Sequence, residues 1–384
     1  MSASVGFDWP PVGPAQEAAV LACLREGDLS LPFRVTRDLE TAVGAYLGVK
    51  HVVAHCNGTS AMLSALYAAG VEAGTEVVCP SYTWWASVAP ALWLNASPVF
   101  CDIEPENLTI NVRDVLSRVT PRTRAVVVPH LWGAMADIDT VISALRREGI
   151  TVIEDASHVF GASSDGRFLG TIGDLGVFSM QAQKALPAGE GGLLVTSRSD
   201  LYERSLAVGH YERLTRVATH EHYLGTGLGL KSRISPLNAA LALSYLPTLA
   251  ESLARYEELT QELVKPLTAN GLVRFAGMQD HVRHGGRTAL RLVADSPGIG
   301  HVPAERIANA LIAVGLPAKP EYLRPLHRLP LFSTAASQAG ELPVTDSLFP
   351  RLIHVSLPVA GAPSSVRELG KAAFRGLEGL IQER

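Results

Sequence analysis

Cysteine and positive charge are both scarce in this sequence. Lysine and arginine number 33 against 37 aspartate and glutamate residues, which gives a formal net charge of −4 at pH 7. This balance disfavours a nucleic-acid partner, because proteins that bind nucleic acids present a basic surface. The cysteines lack the CxxC spacing of metal sites, so we expect reduced thiols and no metal centre. They are Cys23, Cys56, Cys79 and Cys101.

Long hydrophobic runs are also missing. No uninterrupted apolar segment approaches the roughly 18–20 residues that cross a bilayer, and the opening residues MSASVGFDWPPVG lack a signal-peptide pattern. We therefore expect a soluble, cytoplasmic protein with no membrane partner. Hydrophobic residues make up 47% and charged residues 18% of the 384 positions, a composition typical of a globular enzyme long enough for two domains.

Short apolar segments alternate with helical patterns through the first half of the chain. They recur at intervals of roughly 25–30 residues, which favours a mostly parallel sheet with helices on both faces. Because these segments are apolar without alternation, we expect strands that are buried on both sides. The predicted strands lie at 51–54, 76–79, 98–101, 125–129, 151–154, 175–179 and 193–196.

The pattern changes in the second half of the chain. A long helical stretch begins at Ser235 and is interrupted at Pro247. It leads to short alternating segments typical of half-buried strands, and to further helices. These segments and helices lie at 273–275, 289–293, 303–314, 353–357 and 364–382. We predict a large domain over residues 1–245 and a smaller α+β domain over residues 246–384.

Residues suited to holding an aldehyde cofactor follow neighbouring strands in the middle of the chain. Asp155 ends one strand, Ser179 ends the next, and Lys184 follows before the sequence GEGG at 189–192. Most lysines are solvated surface residues, but no acidic or basic residue lies within five positions of Lys184. A buried lysine has a lowered pKa, and its amine is then a nucleophile toward a carbonyl group.

Pyridoxal 5′-phosphate (PLP) is the aldehyde cofactor that this pattern favours. It needs a carboxylate beside its pyridine nitrogen, an anion site for its phosphate and a cover for its ring. Asp155, 29 positions before Lys184, supplies the carboxylate. A strand, a Gly-Thr-Ser turn and a helix start supply the anion site, although such turns also serve as simple helix caps. The candidates for phosphate and ring are Gly58, Thr59, Ser60, Ser179 and Trp84.

Several segments of the chain carry a family resemblance. They are NGTSA at 57–61, PSYTWWAS at 80–87, PVFCDIEP at 98–105, PHLWGAMADID at 129–139, IEDASHVFGA at 153–162, GTIGDLGVFSMQAQKALPAGEGGLLVT at 170–196 and SRISPLNAALAL at 232–243. Together they resemble the DegT/StrS family of sugar aminotransferases. This resemblance implies an α/β fold of type I, as in aspartate aminotransferase-like PLP enzymes. It further implies a large mostly parallel-sheet domain, a smaller α+β C-terminal domain, and a homodimer with shared active sites.

The resemblance also implies roles for individual residues. Lys184 matches the lysine that bonds to the cofactor and shuttles protons, and Asp155 matches the partner of the pyridine nitrogen. His158 matches a position beside the ring hydroxyl. The remaining matches are Thr59, Ser60 and Ser179 for the phosphate and Trp84 for ring stacking.

Lys231 departs from the family pattern. Family members usually have Asn at this position, two residues before an arginine, and that Asn reaches the phosphate in the neighbouring subunit. Here the segment reads LGLKSR, and a cation serves the same task, so we expect Lys231 to contact the partner's cofactor. We also take Glu190 and His327 as residues that face the substrate.

The retained lysine favours transamination, because dehydratase members of the family carry His instead. We expect an aminotransferase that moves an amino group from L-glutamate or L-glutamine to a keto sugar or keto cyclitol. The pathway would be secondary-metabolite (antibiotic) or cell-surface sugar biosynthesis. Two alternatives stay open: a PLP-dependent dehydratase or aromatising enzyme of the amino-hydroxybenzoate synthase type, and a non-catalytic PLP-binding regulatory protein. Candidate cations for a nucleotide-linked substrate are Arg213, Arg216, Arg233 and Arg324.

Overall fold

The computed structural model describes residues 5–30, 34–214, 222–279, 282–283, 289–335 and 340–382. The strands are β1 (His51–His55), β2 (Glu76–Pro80), β3 (Ser97–Cys101), β4 (Thr123–Pro129), β5 (Thr151–Asp155), β6 (Ser163–Ser164), β7 (Arg167–Phe168), β8 (Leu175–Ser179), β9 (Gly192–Thr196), β10 (Arg274–Phe275), β11 (Val282–Arg283), β12 (Ala289–Val293), β13 (Ala318–Pro320) and β14 (Leu352–Ser356). Each predicted strand of the first half is thereby confirmed within two residues of its expected limits.

The helices connect these strands. They are α1 (Pro14–Glu26), α2 (Arg34–Leu47), α3 (Gly58–Ala68), α4 (Ala89–Trp93), α5 (Val112–Arg118), α6 (Ile138–Leu145), α7 (Ser199–Ser205), α8 (Tyr211–Leu214), α9 (Pro236–Tyr245), α10 (Leu249–Thr268), α11 (Ala304–Ala313), α12 (Pro343–Leu348) and α13 (Pro363–Gln382). Within the described ranges, none of them is both long and apolar enough to cross a membrane.

A seven-stranded sheet forms the centre of the molecule, with spatial order β1-β9-β8-β5-β4-β2-β3. Strands β8, β5, β4, β2 and β3 run parallel to one another, whereas β9 is antiparallel to both of its neighbours. The mostly parallel α/β sheet expected from the sequence is therefore confirmed. Its parallel strands all end at one edge, where ligands collect in folds of this kind.

The central strands are apolar on both faces because a separate core lies on each side of the sheet. Val126 and Val128 of β4 belong to one core, while Val127 and Ile153 belong to the other. All four are fully buried. Helices α1, α2, α6 and α9 contribute side chains to the first core, and α3, α4 and α7 contribute to the second. Burying apolar side chains in this way is the main favourable term in folding.

A four-stranded antiparallel sheet of order β10-β12-β14-β13 lies in the C-terminal part. It shares a third core with α10, α11 and α13. The predicted helix interruption at Pro247 is confirmed, because a 3-10 turn, Leu246–Thr248, separates α9 from α10. The domain division at residues 245 and 246 stays a prediction. Near the N-terminus, Gly6 pairs with Ala360 and Phe7 packs on this third core.

The expected half-buried alternation is wrong for β12. All five of its residues are buried, and the side chain of Arg291 is 0% exposed. The reason is that the face expected to meet water is covered instead by side chains from both parts of the chain. Arg291 forms a buried ion pair with Glu321, and Trp132 lies against its guanidinium group.

Candidate active site

A cavity of about 640 Å³ opens at the carboxyl edge of the central sheet. One wall comes from strand ends and loops of that sheet, and includes Asp155, Ser179 and Lys184. The opposite wall comes from the C-terminal sheet, and includes Lys319 and His354. The cavity is thus built where the two sheets meet, a common place for a small-molecule site.

Asp155 ends β5, and its carboxylate is held in a fixed position. Its Oδ2 accepts a hydrogen bond of 2.6 Å from the hydroxyl of Ser87, and its Oδ1 accepts one of 3.1 Å from the amide of Ser157. The first donor belongs to the PSYTWWAS segment, and the second lies two positions after Asp155. Two hydrogen bonds on one carboxylate fix its orientation in the cavity.

Lys184 lies on a short turn in the floor of the same cavity. Its amide donates to the carbonyl of Gln181 over 2.8 Å, and its own carbonyl accepts from the indole nitrogen of Trp9 over 2.9 Å. Burial lowers the pKa of Lys184 to about 8, while the charge of Asp155 acts in the opposite direction. About a tenth of this amine is therefore neutral, and nucleophilic, at pH 7.

The Gly-Thr-Ser turn begins α3 and forms a cradle beside β8. Asn57 is the N-cap, and its Oδ1 accepts from the amide of Ser60 over 2.8 Å. Within the described chain the amides of Gly58 and Thr59 are left as free donors at the positive end of the helix. A Cβ added at Gly58 would lie 3.2 Å from the Cβ of Ser179. The glycine thus lets the helix start approach the strand end closely.

The predicted phosphate residues do not all occupy the same surface. Gly58, Thr59 and Ser179 line the cavity, whereas Ser60 does not. The Ser60 hydroxyl instead lies 3.3 Å from the sulfur of Cys56. Its role as a phosphate ligand stays a prediction.

Gly192, the last glycine of the GEGG segment, supports the cradle from below. A Cβ at this position would fall 2.3 Å from the backbone carbonyl of Asn57, a distance at which the backbone must move. The GEGG pattern was recognised from the sequence, and its physical reason is this close approach of β9 to the helix start.

His158 is half-buried and packed between the cavity and an aromatic ring. Its ring stacks on Trp132, with centroids 4.3 Å apart, and its Nδ1 accepts from the Trp132 amide over 3.5 Å. Burial, with the charges of Lys184 and Arg291, holds the pKa of His158 well below its usual value. The imidazole is therefore neutral at pH 7.

Trp84 lines the cavity and remains 36% exposed. It stacks on Trp85, whose ring centroid lies 4.1 Å away. Both indoles are too exposed to serve as core packing. The ring of Trp84 is therefore available beside the cavity. The stacking role of Trp84 stays a prediction.

Sequence reasoning missed the residues of the C-terminal wall. The guanidinium of Arg291 lies over Trp132, and its charge is balanced by Glu321, which also accepts a 2.7 Å hydrogen bond from Tyr82. The one available signal was a charged residue in the apolar run ALRLV. Arg291 lies behind this wall, and the cavity-lining residues missed from the sequence are Lys319, Tyr322, His354 and Ser356.

Lys231 is exposed and does not line the cavity of its own chain. Of the two residues expected to face the substrate, Glu190 lines the cavity and His327 does not. The imidazole of His327 lies between the Ser81 hydroxyl at 2.6 Å and the Asp346 carboxylate at 3.2 Å. These contacts account for the position of His327 in its own chain, and the expectation that it faces the substrate stays a prediction.

The four arginines suggested for a nucleotide are not among the cavity-lining residues. Arg213 forms an ion pair of 2.8 Å with Glu40, and Arg233 lies 3.7 Å from Glu212. Arg324 follows β13 at the surface, and Arg216 lies outside the described residues. The described cavity therefore holds no arginine for a diphosphate.

The residues present fit PLP. Lys184 offers a partly neutral amine, Asp155 offers a fixed carboxylate, and the Gly58 cradle offers free amides and hydroxyls for a phosphate. With a mostly parallel sheet and a cavity at its carboxyl edge, this set defines a PLP-dependent enzyme of fold type I.

Comparisons with known proteins agree with this class. The family model of the DegT/DnrJ/EryC1/StrS aminotransferases matches residues 12–370. An L-glutamine:2-deoxy-scyllo-inosose aminotransferase from Streptoalloteichus tenebrarius is 32% identical, over 96% of this chain and 93% of its own length. A GDP-perosamine synthase from Caulobacter vibrioides is 30% identical, over 83% and 84%.

A crystal structure of DesI, determined with its TDP-sugar product, has the same fold. It superimposes with a TM-score of 0.81 and 27% identity, covering 100% of this chain and 96% of DesI. The chain belongs to the DegT/DnrJ/EryC1/StrS aminotransferase family. It is a PLP-dependent aminotransferase of the kind that acts on keto sugars and keto cyclitols, and the resemblance seen in the sequence is confirmed.

Proposed function

We propose that this aminotransferase transfers the amino group of L-glutamine, or of L-glutamate, to a keto cyclitol. The observation that carries the proposal is the partly neutral Lys184 beside the fixed carboxylate of Asp155 in one cavity. The similarity to a glutamine-dependent cyclitol aminotransferase over almost the whole chain supports the choice of substrates. The lack of arginine in the described lining supports an uncharged ring ketone over a nucleotide-linked sugar.

When bound, PLP supplies an aldehyde for the amine to join and a ring that withdraws electrons from the substrate carbon. Asp155, held by Ser87 and Ser157, would be the partner of the ring nitrogen and would hold a proton there. Lys184 Nζ takes the proton from the donor's α-carbon and delivers it again, for which a pKa near the working pH is suited. Neutral His158, which lines the cavity, would orient the ring hydroxyl without adding charge.

The overall exchange balances without an external oxidant. The amino acid loses its amino group and one hydrogen, gains one oxygen and becomes a 2-oxo acid. The ring ketone loses its oxygen and gains the amino group and the hydrogen. One cavity must therefore accept an amino acid and a polyhydroxylated ring in turn.

We further propose that the enzyme is a homodimer in which Lys231 contacts the phosphate bound by the partner. Support comes from the position of Lys231, which is exposed and away from its own cavity. The residues just before it, Leu224, Leu228 and Leu230, are exposed apolar side chains, and such patches mark protein interfaces. An antibiotic pathway and a cytoplasmic location, both expected from the sequence, stay predictions.

The test uses purified holoenzyme with L-glutamine and free 2-deoxy-scyllo-inosose. We expect the visible band of lysine-bound PLP to bleach on addition of L-glutamine alone. We then expect a cyclitol amine and a 2-oxo acid in equal amounts when the ketone is added. A band that no amino acid changes would favour the regulatory alternative. Loss of water from the ketone without formation of a 2-oxo acid would favour the dehydratase alternative.

A further inference from the structure

The C-terminal wall of the cavity carries an unused cation. Lys319 of β13 pairs in register with His354 of β14, and both side chains line the cavity that also holds Lys184. Tyr322 follows β13 and lines the same wall. The wall therefore brings an ammonium, an imidazole and a phenol together opposite the PLP residues.

Lys319 keeps its charge available for a ligand. No carboxylate within the described residues forms an ion pair with it, and it is exposed to the cavity. Its Nζ lies 4.0 Å from the centroid of the Tyr322 ring. A cation–π contact restricts the ammonium to one position without neutralising its charge. The ammonium of Lys319 is thus held near the Tyr322 ring, but no described carboxylate neutralises its charge.

Lys319 is the cavity-lining cation that remains for a substrate once the residues needed by the cofactor are set aside. Among the described cavity-lining residues, Lys184 and Lys319 are the only lysine or arginine side chains. Lys184 is needed for the chemistry of the cofactor, and the phosphate cradle lies on the other wall, at Gly58. Lys319 therefore remains in the same cavity as Lys184 with no task in holding PLP.

The surroundings of Lys319 are rich in unpartnered nitrogen atoms. The Nδ1 of His354, the Nε1 of Trp132 and the Nη1 of Arg291 are buried without hydrogen-bond partners. Burial, with the charges of Arg291 and Lys319, lowers the pKa of His354 to about 3, so its ring is neutral at pH 7. Buried polar atoms without a partner are uncommon in native proteins, and two of these side chains, His354 and Trp132, line the cavity together with Lys319.

We propose that Lys319, with Tyr322 and His354, forms the subsite that binds the carboxylate of the amino donor. A carboxylate supplies the negative charge and the acceptor oxygens that this wall lacks. The inference rests on the proposed function, because the amino acid carries a carboxylate and a free keto cyclitol does not. The phosphate of a nucleotide-linked ketone shares this anionic chemistry, and the experiment separates the two sources.

The test follows bleaching of the visible PLP band as L-glutamine is mixed with holoenzyme. We expect Lys319→Gln to raise the half-saturating L-glutamine concentration by about 10- to 100-fold, the loss of a charge-assisted hydrogen bond. Lys319→Arg should stay within about threefold of wild type, because it restores the cation. The matched control is Lys371→Gln, which removes an exposed lysine of α13 that pairs with Glu368. An unchanged visible spectrum shows that each variant folds and retains PLP.

Two substrates distinguish the sources of the anion. The α-carboxamide of glutamine should react equally well with wild type and Lys319→Gln, and the KM for free scyllo-inosose should be the same in both. A Lys319→Gln enzyme that saturates with L-glutamine as wild type does would overturn the subsite. So would an effect confined to a nucleotide-linked ketone. A wild-type band that no amino acid bleaches would instead overturn the proposed function, and this subsite with it.

Discussion

Arg291 lies face to face with Trp132, its guanidinium carbon 3.5 Å from the centroid of the indole. Arg291 comes from β12 of the C-terminal sheet, and Trp132 follows β4 of the central sheet. Trp132 in turn stacks on His158 beside the cavity. The position of a cofactor-side residue is therefore tied to a buried charge on the other sheet, and that charge depends on Glu321.

Replacing Glu321 should destabilise the protein strongly. Glu321→Gln leaves the guanidinium of Arg291 buried without its counter-charge, and breaking such pairs costs about 3–5 kcal/mol. The free energy of urea unfolding of the PLP-free protein measures this loss. Glu368→Gln, which opens the exposed pair with Lys371, is the control and should change it by no more than about 1 kcal/mol.

The double variant Arg291→Met, Glu321→Met tests the electrostatic cause. Removing both charges together should recover most of the stability that Glu321→Gln loses, because no uncompensated ion remains. A double variant as unstable as Glu321→Gln would show that packing at these positions, rather than the unpaired charge, sets the cost.

Replacing Lys184 by methionine should stabilise the PLP-free protein. The pKa of Lys184 is lowered from 10.5 to about 8, so the folded state disfavours its charged form. This cost is fully present below pH 8 and disappears as the pH rises through 10.5, since the unfolded chain then loses the same proton. Lys184→Met should raise the free energy of unfolding at pH 7 by about 3 kcal/mol.

Urea unfolding from pH 7 to 11 follows this difference. It should shrink above pH 8 and approach a constant packing term above pH 10.5. Lys371→Met, at an exposed position, is the control and should show no such trend. A difference between Lys184→Met and wild type that is independent of pH would contradict a lowered lysine pKa.

Acid should destabilise the protein through His354. Its pKa is lowered from 6.5 to about 3, so between these values the unfolded chain binds a proton that the folded chain excludes. Stability from this group is complete above pH 6.5 and falls by about 1.4 kcal/mol for each pH unit below it. His354→Gln should therefore flatten the dependence of the unfolding free energy between pH 6.5 and 4.5. Equal slopes in both proteins would refute the explanation.

An alanine at Gly58 should weaken PLP binding. The added Cβ would lie 3.2 Å from the Cβ of Ser179 and would push the helix start away from the strand end. Overpacking of this kind costs about 1–3 kcal/mol, so the Kd for PLP should rise at least about fivefold. Gly379→Ala in α13, where a Cβ meets nothing within 4 Å, is the matched control. Equal PLP affinity in both variants would argue against the cradle.

The central sheet and one wall of the cavity could be predicted from the sequence because their signals are local. Strands buried on both faces read as apolar runs, and Asp155 and Ser179 stand at the ends of such runs. The cradle was visible because glycine and hydroxyl residues must follow β1 directly. Each of these features lies within a short stretch of chain that also carries a family motif, so the sequence alone could reveal it.

The second wall could not be predicted because its contacts join distant parts of the chain. Arg291 is buried only because Glu321 and Trp132 meet it in space, and neither pairing is visible in the run ALRLV. The same applies to Lys319 and His354, which become neighbours through strand register. His327 is a further example: its contact with Ser81, 246 positions earlier in the chain, is equally invisible in the sequence.

The most direct test of the account is the transfer of isotopically labelled amino nitrogen from L-glutamine to 2-deoxy-scyllo-inosose by the holoenzyme. Wild type should place the label in the cyclitol amine, detected by mass spectrometry. Lys184→Ala should transfer it at least about 100-fold more slowly, because no other described residue of the cavity offers a partly neutral amine. Transfer at the wild-type rate by Lys184→Ala, or no labelled amine from wild type, would contradict the account.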